Sequence, residues 1–252
     1  MATEQGKMIT ITSVKGGTGK TSTVLSLAGI YSLQQKKVLI IDLDFYASAV
    51  SAMLNIDSKD DIFRLADDLS NNRYTKFEDY IVKYNDYIDV LQAPKDPRLA
   101  SKVDSNFLSL IFNKSILKYD IVLVDTNHFL NDINLIAFDN SDTLLYVLTN
   151  DVIDMKNMKT MVSIFKDMDK TNYRILLNSS VAKGRNKYSK YDIKSFIKHD
   201  IDYHISDNFY IKDIDSYLEK GQIPTLDKKI RKSNKKSISD YEYIASDLLI
   251  KK

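Results

Sequence analysis

Apolar residues fall in short continuous runs along the chain, and these runs alternate with segments in which apolar residues recur every three or four positions. The runs predict strands at residues 8–14, 37–43, 87–93, 119–125, 142–149, 173–179 and 202–205. A strand buried on both faces shows no polar alternation, which is typical of a parallel sheet covered by helices. The pattern predicts right-handed strand–helix–strand units in a doubly wound, mostly parallel α/β sheet of seven or eight strands, with helices on both faces.

The domain organisation follows from the spacing of these elements. The chain has 252 residues, and its seven glycines and three prolines leave little linker material. We interpret residues 1–252 as a single domain, with a helical insertion at roughly 55–86 before the third strand.

Composition and charge exclude several classes of protein. The net charge is +2, so the overall charge does not predict a nucleic acid or a membrane as partner. Cysteine is absent, which excludes disulfides, iron–sulfur clusters and thiol chemistry. No apolar run reaches the roughly 18 residues that span a bilayer, and the first ten residues have no apolar core typical of a signal peptide. The expected compartment is the cytoplasm.

A glycine-rich turn, KGGTGK, joins the first predicted strand to the first predicted helix. Glycines let successive backbone N–H groups point into one concavity, and a helix N-terminus adds positive potential there. We expect Lys20 to reach the β- and γ-phosphates of a nucleotide and the Thr21 hydroxyl to bind Mg²⁺. The rest of the expected cradle is Gly16, Gly17, Thr18, Gly19 and Ser22. The common pattern G-x-x-x-x-G-K-[ST] has glycine where Val14 stands, and here Lys15 precedes the first glycine.

Carboxylates follow two of the predicted strands. Asp42 and Asp44 lie two residues apart at the end of VLIIDLD, and Asp125 ends IVLVD. Open α/β sheets bind ligands at the carboxyl ends of their strands. Mg²⁺ takes one or two carboxylates, a loop hydroxyl, waters and phosphate oxygens, so Thr21, Asp42, Asp44 and Asp125 are the candidate metal residues.

The segments KGGTGKT, IIDLD and IVLVDT together resemble the deviant Walker ATPases of the ParA/MinD group. The resemblance covers nearly the whole chain and implies a P-loop NTPase fold that uses ATP/ADP and Mg²⁺ with low, partner-stimulated turnover. It implies that Lys15 is the group's signature lysine, which crosses to the nucleotide of a second subunit. The expected assembly is therefore a homodimer with ATP between the subunits. Lys15, Lys20 and Asp44 are the candidate catalytic residues, with Asp44 positioning the attacking water.

Adenine contacts are also expected from the resemblance. LLNSS is similar to the family's strand that ends in an adenine-contacting asparagine, which here is Asn178. HISDNFYIKDIDSYLEKGQIP resembles the following loop and helix, and it offers Ser206 and Asp207 as further contacts. Ser206 stands where the family has a turn proline. The Asn-Lys-x-Asp guanine reader of related GTPases is absent, which favours adenine over guanine.

Within the group, the chain resembles the CpaE/TadZ-like pilus-assembly branch. Partition ATPases usually have Asp-Pro-Gln after the second strand, whereas this chain has Asp44, Phe45 and Tyr46. Cell-division ATPases usually have prolines after the Asp of the later strand, whereas Thr126, Asn127 and His128 follow here. The resemblance implies a protein partner in a pilus or other polar assembly, with recruitment to a pole.

Two C-terminal features bear on partners. Residues 228–236 carry six Lys or Arg, which could bind DNA or remain a solvated loop. The last helix has one apolar stripe but an acidic polar face, so we expect it to pack on the sheet and direct membrane insertion to be unfavourable.

Three other functions remain open. The chain could be a ParA-like partition ATPase that binds DNA nonspecifically, or a nucleotide-binding scaffold that has lost hydrolysis. A bacterial tyrosine kinase has a related core, although Tyr241 and Tyr243 form no terminal tyrosine cluster. His128 could also line the site.

Overall fold

The computed structural model describes residues 5–182, 187–209, 211 and 214–250. Eight strands form one sheet in the order β3-β4-β2-β5-β1-β6-β7-β8. All neighbouring pairs are parallel except β3 and β4. The strands are β1 (Lys7–Thr12), β2 (Val38–Asp42), β3 (Val82–Lys83), β4 (Ile88–Leu91), β5 (Ile121–Asp125), β6 (Thr143–Leu148), β7 (Tyr173–Asn178) and β8 (Tyr203–Ile205).

Helices cover both faces of this sheet, so the expected α/β architecture is confirmed. They are α1 (Lys20–Leu33), α2 (Ala49–Leu54), α3 (Ile62–Ser70), α4 (Leu108–Ile116), α5 (Asp132–Asn140), α6 (Val152–Asp167), α7 (Lys190–Ile197), α8 (Ile214–Glu219), α9 (Lys228–Ser233) and α10 (Lys235–Asp247). No helix of the described segments is long and apolar enough to cross a bilayer.

All seven apolar runs form strands, and most of the residues in these strands are buried. The segment 55–86 contains α3 and a 3₁₀ turn at Phe77–Tyr80, but it ends in the unpredicted strand β3. β3 has two residues, one half-buried and one exposed. Its sequence therefore has no apolar pattern that would predict a strand. The interpretation of the chain as a single domain stays a prediction.

The core consists of apolar clusters on the two faces of the sheet. α1 and α10 pack over β1, β2 and β5 in one cluster, where the Tyr31 hydroxyl donates to the backbone oxygen of Ala245 at 2.9 Å. The apolar stripe of α10 therefore packs into the core, as its pattern predicts. α3 and α4 form the opposite cluster, while α6 and α7 cover β6 and β7.

The carboxyl ends of the parallel strands meet at one edge of the sheet. β1 lies between β5 and β6, and Asp42 of β2 lies in register beside Asp125 of β5. The loops that leave β1, β2, β5, β6 and β7 therefore converge, and the candidate site lies among them.

Candidate functional site

The turn between β1 and α1 is shaped by glycines. Gly17 and Gly19 have φ angles of 74° and 91°, in the left-handed region that side chains disfavour. Gly19 is the N-cap of α1, and no side chain caps the N–H groups of the first turn. These amides are therefore available to an anion at the positive end of a 14-residue helix.

Asn178 braces this turn from the end of β7. Its Nδ2 donates to the backbone oxygen of Thr18 at 2.9 Å, and its Oδ1 accepts from the Ser180 hydroxyl at 2.7 Å. A Cβ on Gly19 would lie 2.6 Å from this Nδ2, so only glycine permits the approach. Its expected contact with adenine stays a prediction.

Lys20 lies on the floor of the site. Its Nζ donates to the Ser13 hydroxyl at 3.2 Å, and that hydroxyl donates to the backbone oxygen of Lys15 at 2.6 Å. Burial lowers the pKa of Lys20, while the charges of Asp125 and Asp44 act in the opposite direction. The ammonium is thus a desolvated cation that an anionic ligand would stabilise.

Thr21 and Asp125 are joined directly. The Thr21 hydroxyl donates to Oδ2 of Asp125 at 2.6 Å. Oδ1 of Asp125 is buried and has no hydrogen-bond partner within the described part of the chain. Burial raises the pKa of Asp125 to about 7, against the opposing effects of the Thr21 hydrogen bond and the Lys20 charge. A buried carboxylate with an open oxygen is suited to a cation.

Asp42 is fully buried beside Asp125 and organises the next loop. Its Oδ1 accepts from the backbone N–H of Asp44 at 2.9 Å, and its Oδ2 accepts from that of Val50 at 3.2 Å. Burial, and then the charge of Asp125, raise the pKa of Asp42 well above its usual range. Both oxygens already hold backbone donors, so Asp42 is better placed to act on metal-bound water than as a direct ligand.

Asp44 is half-buried at the start of the loop that Asp42 holds. Its charge contributes to the raised pKa of both Asp42 and Asp125, which places it close to the same site. Phe45 is buried in the core cluster of α3 and α4, whereas the Tyr46 side chain is 64% exposed. The unusual pair after Asp44 thus consists of one anchoring residue and one surface residue.

These residues fit Mg²⁺. No group of three or more His, Cys, Asp or Glu gathers as a metal cluster among the residues that the structure describes. Mg²⁺ needs fewer, because it keeps several waters and binds through one or two carboxylates together with substrate phosphates. The open oxygen of Asp125 and the hydroxyl of Thr21 supply such a donor set.

Lys15 lies at the mouth of the site. Its Nζ is 3.0 Å from Oδ1 of Asp151, and the two side chains are 38% and 42% exposed. A cavity of about 510 Å³ opens here between the glycine-rich turn and residues 149–153. His128 borders the same mouth, because a methyl group on Gly16 would lie 3.6 Å from its Cε1.

Ser206 and Asp207 follow β8 at the neighbouring edge. The Ser206 hydroxyl accepts from the backbone N–H of Asn208 at 3.2 Å, and the Ser179 N–H donates to the Ile205 oxygen at 2.9 Å. The segment therefore lies beside the residues that follow β7. Residues 210, 212 and 213 of the expected loop lie outside the described residues. The adenine contacts of this segment stay predictions.

Sequence reasoning missed Ser13, Asp151 and Asp154. Ser13 supports Lys20, and Asp151 pairs with Lys15. Asp154 is buried below them, where its Oδ2 accepts from the Thr149 N–H and hydroxyl at 2.7 and 2.6 Å. A detectable signal existed: an aspartate directly after a buried strand and before a helical segment is a typical N-cap at the ligand-binding edge.

Comparisons with known proteins agree with this arrangement. Residues 6–182 match the family model AAA_31, described as an AAA domain. The chain is 36% identical over 122 residues to the uncharacterized ATP-binding protein MJ0924 of Methanocaldococcus jannaschii, covering 48% of this chain and 44% of that protein. The chain spans about half the length of the curated relatives it matches.

Two solved structures have the same fold. A ParA family ATPase from Chlorobium tepidum TLS matches with a TM-score of 0.79 at 16% identity, over 95% of this chain and 98% of that chain. The septum site-determining protein MinD of Pyrococcus horikoshii OT3, complexed with Mg-ADP, matches with a TM-score of 0.76 at 18% identity, over 97% and 96% of the two chains. The chain belongs to the AAA_31 family of AAA domains, and its fold is that of the ParA- and MinD-type P-loop ATPases.

Proposed function

We propose that the protein is an ATP-binding, slowly hydrolysing dimerisation switch that positions a cellular assembly. The observation that carries the proposal is the linked set at the N-terminus of α1, where Thr21 bonds Asp125 and the buried Lys20 ammonium lies nearby. This set combines a cation for phosphate, a donor pair for Mg²⁺ and free helix N–H groups. The MinD structure of the same fold holds Mg-ADP, which supports a nucleotide as the ligand.

Each residue has a task in this proposal. Lys20 and the amides after Gly19 hold the β- and γ-phosphates, and Gly16, Gly17, Thr18 and Ser22 complete the cradle. Thr21 and Asp125 hold Mg²⁺, which when bound neutralises charge on the phosphates. Asp44 orients water for attack, and Asp42 fixes the backbone N–H of Asp44 and with it the loop. A carboxylate orients water better than it removes a proton, so turnover is slow.

In this proposal, dimerisation brings the Lys15 charge of one subunit to the nucleotide of the other. Lys15 lies outside the floor of the site, so its charge is available to a second nucleotide across an interface. Large apolar side chains surround the mouth, with Phe129, Leu130 and Ile153 exposed by 59%, 57% and 61%. Such exposure beside a polar site supports a protein interface. The partner in this proposal is a second copy, with ATP between the subunits.

Gel filtration with ATP and Mg²⁺ tests the switch. Wild type is expected to elute as a dimer with ATP and as a monomer with ADP. Lys20→Ala removes a buried cation from the phosphates and is expected to lose roughly 30-fold or more in nucleotide affinity. Lys15→Ala is the matched control, because it is expected to bind ATP as a monomer. A wild-type protein that binds ATP tightly and stays monomeric would contradict the proposal.

The assembly that is positioned is proposed from the sequence resemblance alone. The resemblance to the CpaE/TadZ-like branch supports a pilus or secretion apparatus, with a protein partner that recruits the dimer to a pole. The test is fluorescence localisation of wild type and Lys20→Ala in cells that assemble pili. Diffuse fluorescence of the wild type would contradict polar recruitment.

A specific surface favours DNA partition as a second candidate. Residues 228–236 form α9 and the start of α10, and Lys228, Lys229, Lys232, Lys235 and Lys236 are exposed. Arg231 instead turns inward, where it donates to the backbone oxygen of Leu226 at 2.8 Å. Retention on nonspecific duplex DNA should fall steeply with salt and disappear in Lys228→Glu/Lys229→Glu/Lys232→Glu. Absent or salt-insensitive retention would remove this candidate.

A phosphate-release assay distinguishes the proposed switch from a scaffold that binds ATP without hydrolysing it. The proposed switch releases phosphate slowly with ATP and loses the release in Asp44→Asn, whose dimer should persist. A wild-type protein that dimerises with ATP but releases no phosphate is a scaffold.

A further inference from the structure

One carboxylate oxygen of Asp151 both caps a helix and pairs with Lys15. As N-cap of α6, its Oδ1 accepts from the backbone N–H groups of Ile153 and Asp154, each at 3.0 Å. The same Oδ1 lies 3.0 Å from Nζ of Lys15. The Asp154 N–H and the Lys15 ammonium hold the pKa of Asp151 below its usual range. Because the cap fixes the carboxylate, the charge that Lys15 meets is fixed as well.

A second carboxylate lies below the pair. Asp154 is fully buried, and its Oδ2 is held by Thr149. Burial raises the pKa of Asp154 to about 6, and the Lys15 charge opposes that rise. Lys15 is therefore paired with one acidic group at the start of α6 and interacts electrostatically with a second, both in its own subunit.

We propose that Asp151 is a positioning residue that holds Lys15 in its own subunit and competes with the phosphates of the second subunit for this ammonium. The inference rests on the proposed ATP-dependent dimer. An ammonium that approaches a phosphate must leave or share the carboxylate, so the ion pair with Asp151 opposes its transfer to the second subunit. This competition weakens the dimer, so Asp151 raises the concentrations of nucleotide and protein that are needed to form it.

The chain allows a variant that removes the charge and keeps the cap. Asp151→Asn retains a side-chain oxygen for the two N–H groups, whereas Asp151→Ala loses the cap as well. We expect Asp151→Asn to lower the dimer dissociation constant in ATP and Mg²⁺ by roughly two- to fivefold, the scale of an exposed ion pair. Asp61→Asn is the matched control, because Asp61 caps α3 by accepting from Arg64 N–H at 2.9 Å and does not pair with Lys15.

A double mutant separates pairing from a general charge effect. The Lys15→Ala protein is expected to stay monomeric with ATP, and Asp151→Asn should restore no dimer in that background, because the shared group is gone. The dissociation constants come from sedimentation velocity across a concentration series. A weaker or unchanged dimer in Asp151→Asn, or an ATP-dependent dimer of the Lys15→Ala/Asp151→Asn protein, overturns the proposal.

Amine labelling of the nucleotide-free monomer distinguishes failure of this inference from failure of the proposed function. If wild type forms no ATP-dependent dimer, the proposed function is contradicted and with it the competition. The positioning is still decided by acylation of Lys15, measured by mass spectrometry against the exposed Lys156. Asp151→Asn should speed acylation of Lys15 and leave Lys156 unchanged. Equal Lys15 rates in both proteins show that Asp151 does not hold Lys15.

Discussion

Two lysines of one turn, Lys15 and Lys20, meet carboxylates in very different surroundings. Lys20 lies on the floor of the site, supported by Ser13 and close to the buried Asp125. Lys15 lies at the mouth, paired with the 42% exposed Asp151. Charges interact strongly where water is excluded and weakly where it is not. These surroundings support a bound ligand on the floor and, at the mouth, the exchange of partners that we propose for Lys15.

The two regions also differ in what surrounds the charges. The floor is bounded by strands β1, β2 and β5, and its polar atoms are held by backbone and hydroxyl groups. The mouth is bordered by the exposed Phe129 and Leu130. Below them, Asn127 accepts from the backbone N–H of Phe129 at 2.9 Å and from the Asn134 amide at 2.7 Å. The apolar tip is thus presented on an ordered polar support.

The largest effect is expected on the floor, from Asp125→Asn. Because burial raises the pKa of Asp125 to about 7, ionising this carboxylate at pH 8 without a metal costs more free energy in the folded state than in the unfolded state. The neutral amide should raise the free energy of unfolding of the nucleotide-free protein by a few kcal/mol, on the order of 1.4 kcal/mol for each unit of pKa. The same variant should lose the Mg²⁺ dependence of nucleotide binding. Urea denaturation and titration calorimetry measure the two effects.

Asp142→Asn is the control for this variant. Asp142 pairs with Lys7 at 2.9 Å at the opposite edge of the sheet, and its side chain is 39% exposed. Its replacement should change the free energy of unfolding by roughly 0–1 kcal/mol. If Asp125→Asn destabilises the nucleotide-free protein instead, the account of the floor as a strained cation site is wrong.

A smaller effect is expected at the mouth, from Phe129→Ser and Leu130→Ser. Both side chains are more than half exposed in the monomer, so the free energy of unfolding should change little. Burial of either side chain against a second subunit contributes roughly 1–2 kcal/mol, so each substitution should weaken the ATP-dependent dimer about tenfold. Sedimentation velocity measures this loss. Leu117→Ser is the control, because Leu117 is 65% exposed after α4 and away from the mouth.

Equal dimer affinities for Phe129→Ser and wild type would show that the apolar tip is not part of the interface. A comparable loss in Leu117→Ser would point instead to general exposure of apolar surface. Either result would leave the floor unaffected.

The smallest effect is expected from pH. In the proposed site Mg²⁺ binds ionised Asp125, and with a pKa of about 7 the apparent affinity for Mg²⁺-nucleotide should rise from pH 6 to pH 8. For one group the rise is roughly tenfold over this range. Fluorescence titration with a labelled nucleotide measures it. A flat profile would show that protons do not compete with the metal at this carboxylate.

The free energy of unfolding of the nucleotide-free protein should change with pH in the opposite direction and fall as the pH rises. The folded pKa of Asp125 lies above its unfolded value, so the folded state binds more protons between these values. The stabilising contribution of the protonated group is complete below about pH 4 and is lost as pH rises through about 7. Asp154, with a pKa of about 6, acts in the same direction at slightly lower pH.

The sheet could be predicted from sequence because its strands are buried on both faces. Continuous apolar runs such as IVLV in β5 lack the polar alternation of a half-exposed strand, and all seven predicted runs form strands. β3 could not be predicted, since this edge strand consists only of Val82 and Lys83, which pair with β4 and bury little.

The floor of the site was predictable for a related reason. A glycine-rich turn and strand-end aspartates are local signals, and the structure brings Lys20, Thr21 and Asp125 together. The pairing of Lys15 with Asp151 was not predictable, because it joins residues 136 positions apart through the β1–β6 contact. The two backbone donors on Asp42 likewise depend on the path of the loop up to Val50.

The edges of the sheet have a consequence for growth into larger assemblies. β3 has two residues and β8 has three, so the outer strands offer few unpaired backbone groups to another chain. Strand addition, the common route to fibres, is therefore disfavoured at both edges. A two-fold contact through the carboxyl edge uses the same surface on both subunits, and such a contact closes on itself. The proposed dimer is therefore an association that stops at two copies and does not continue as a polymer.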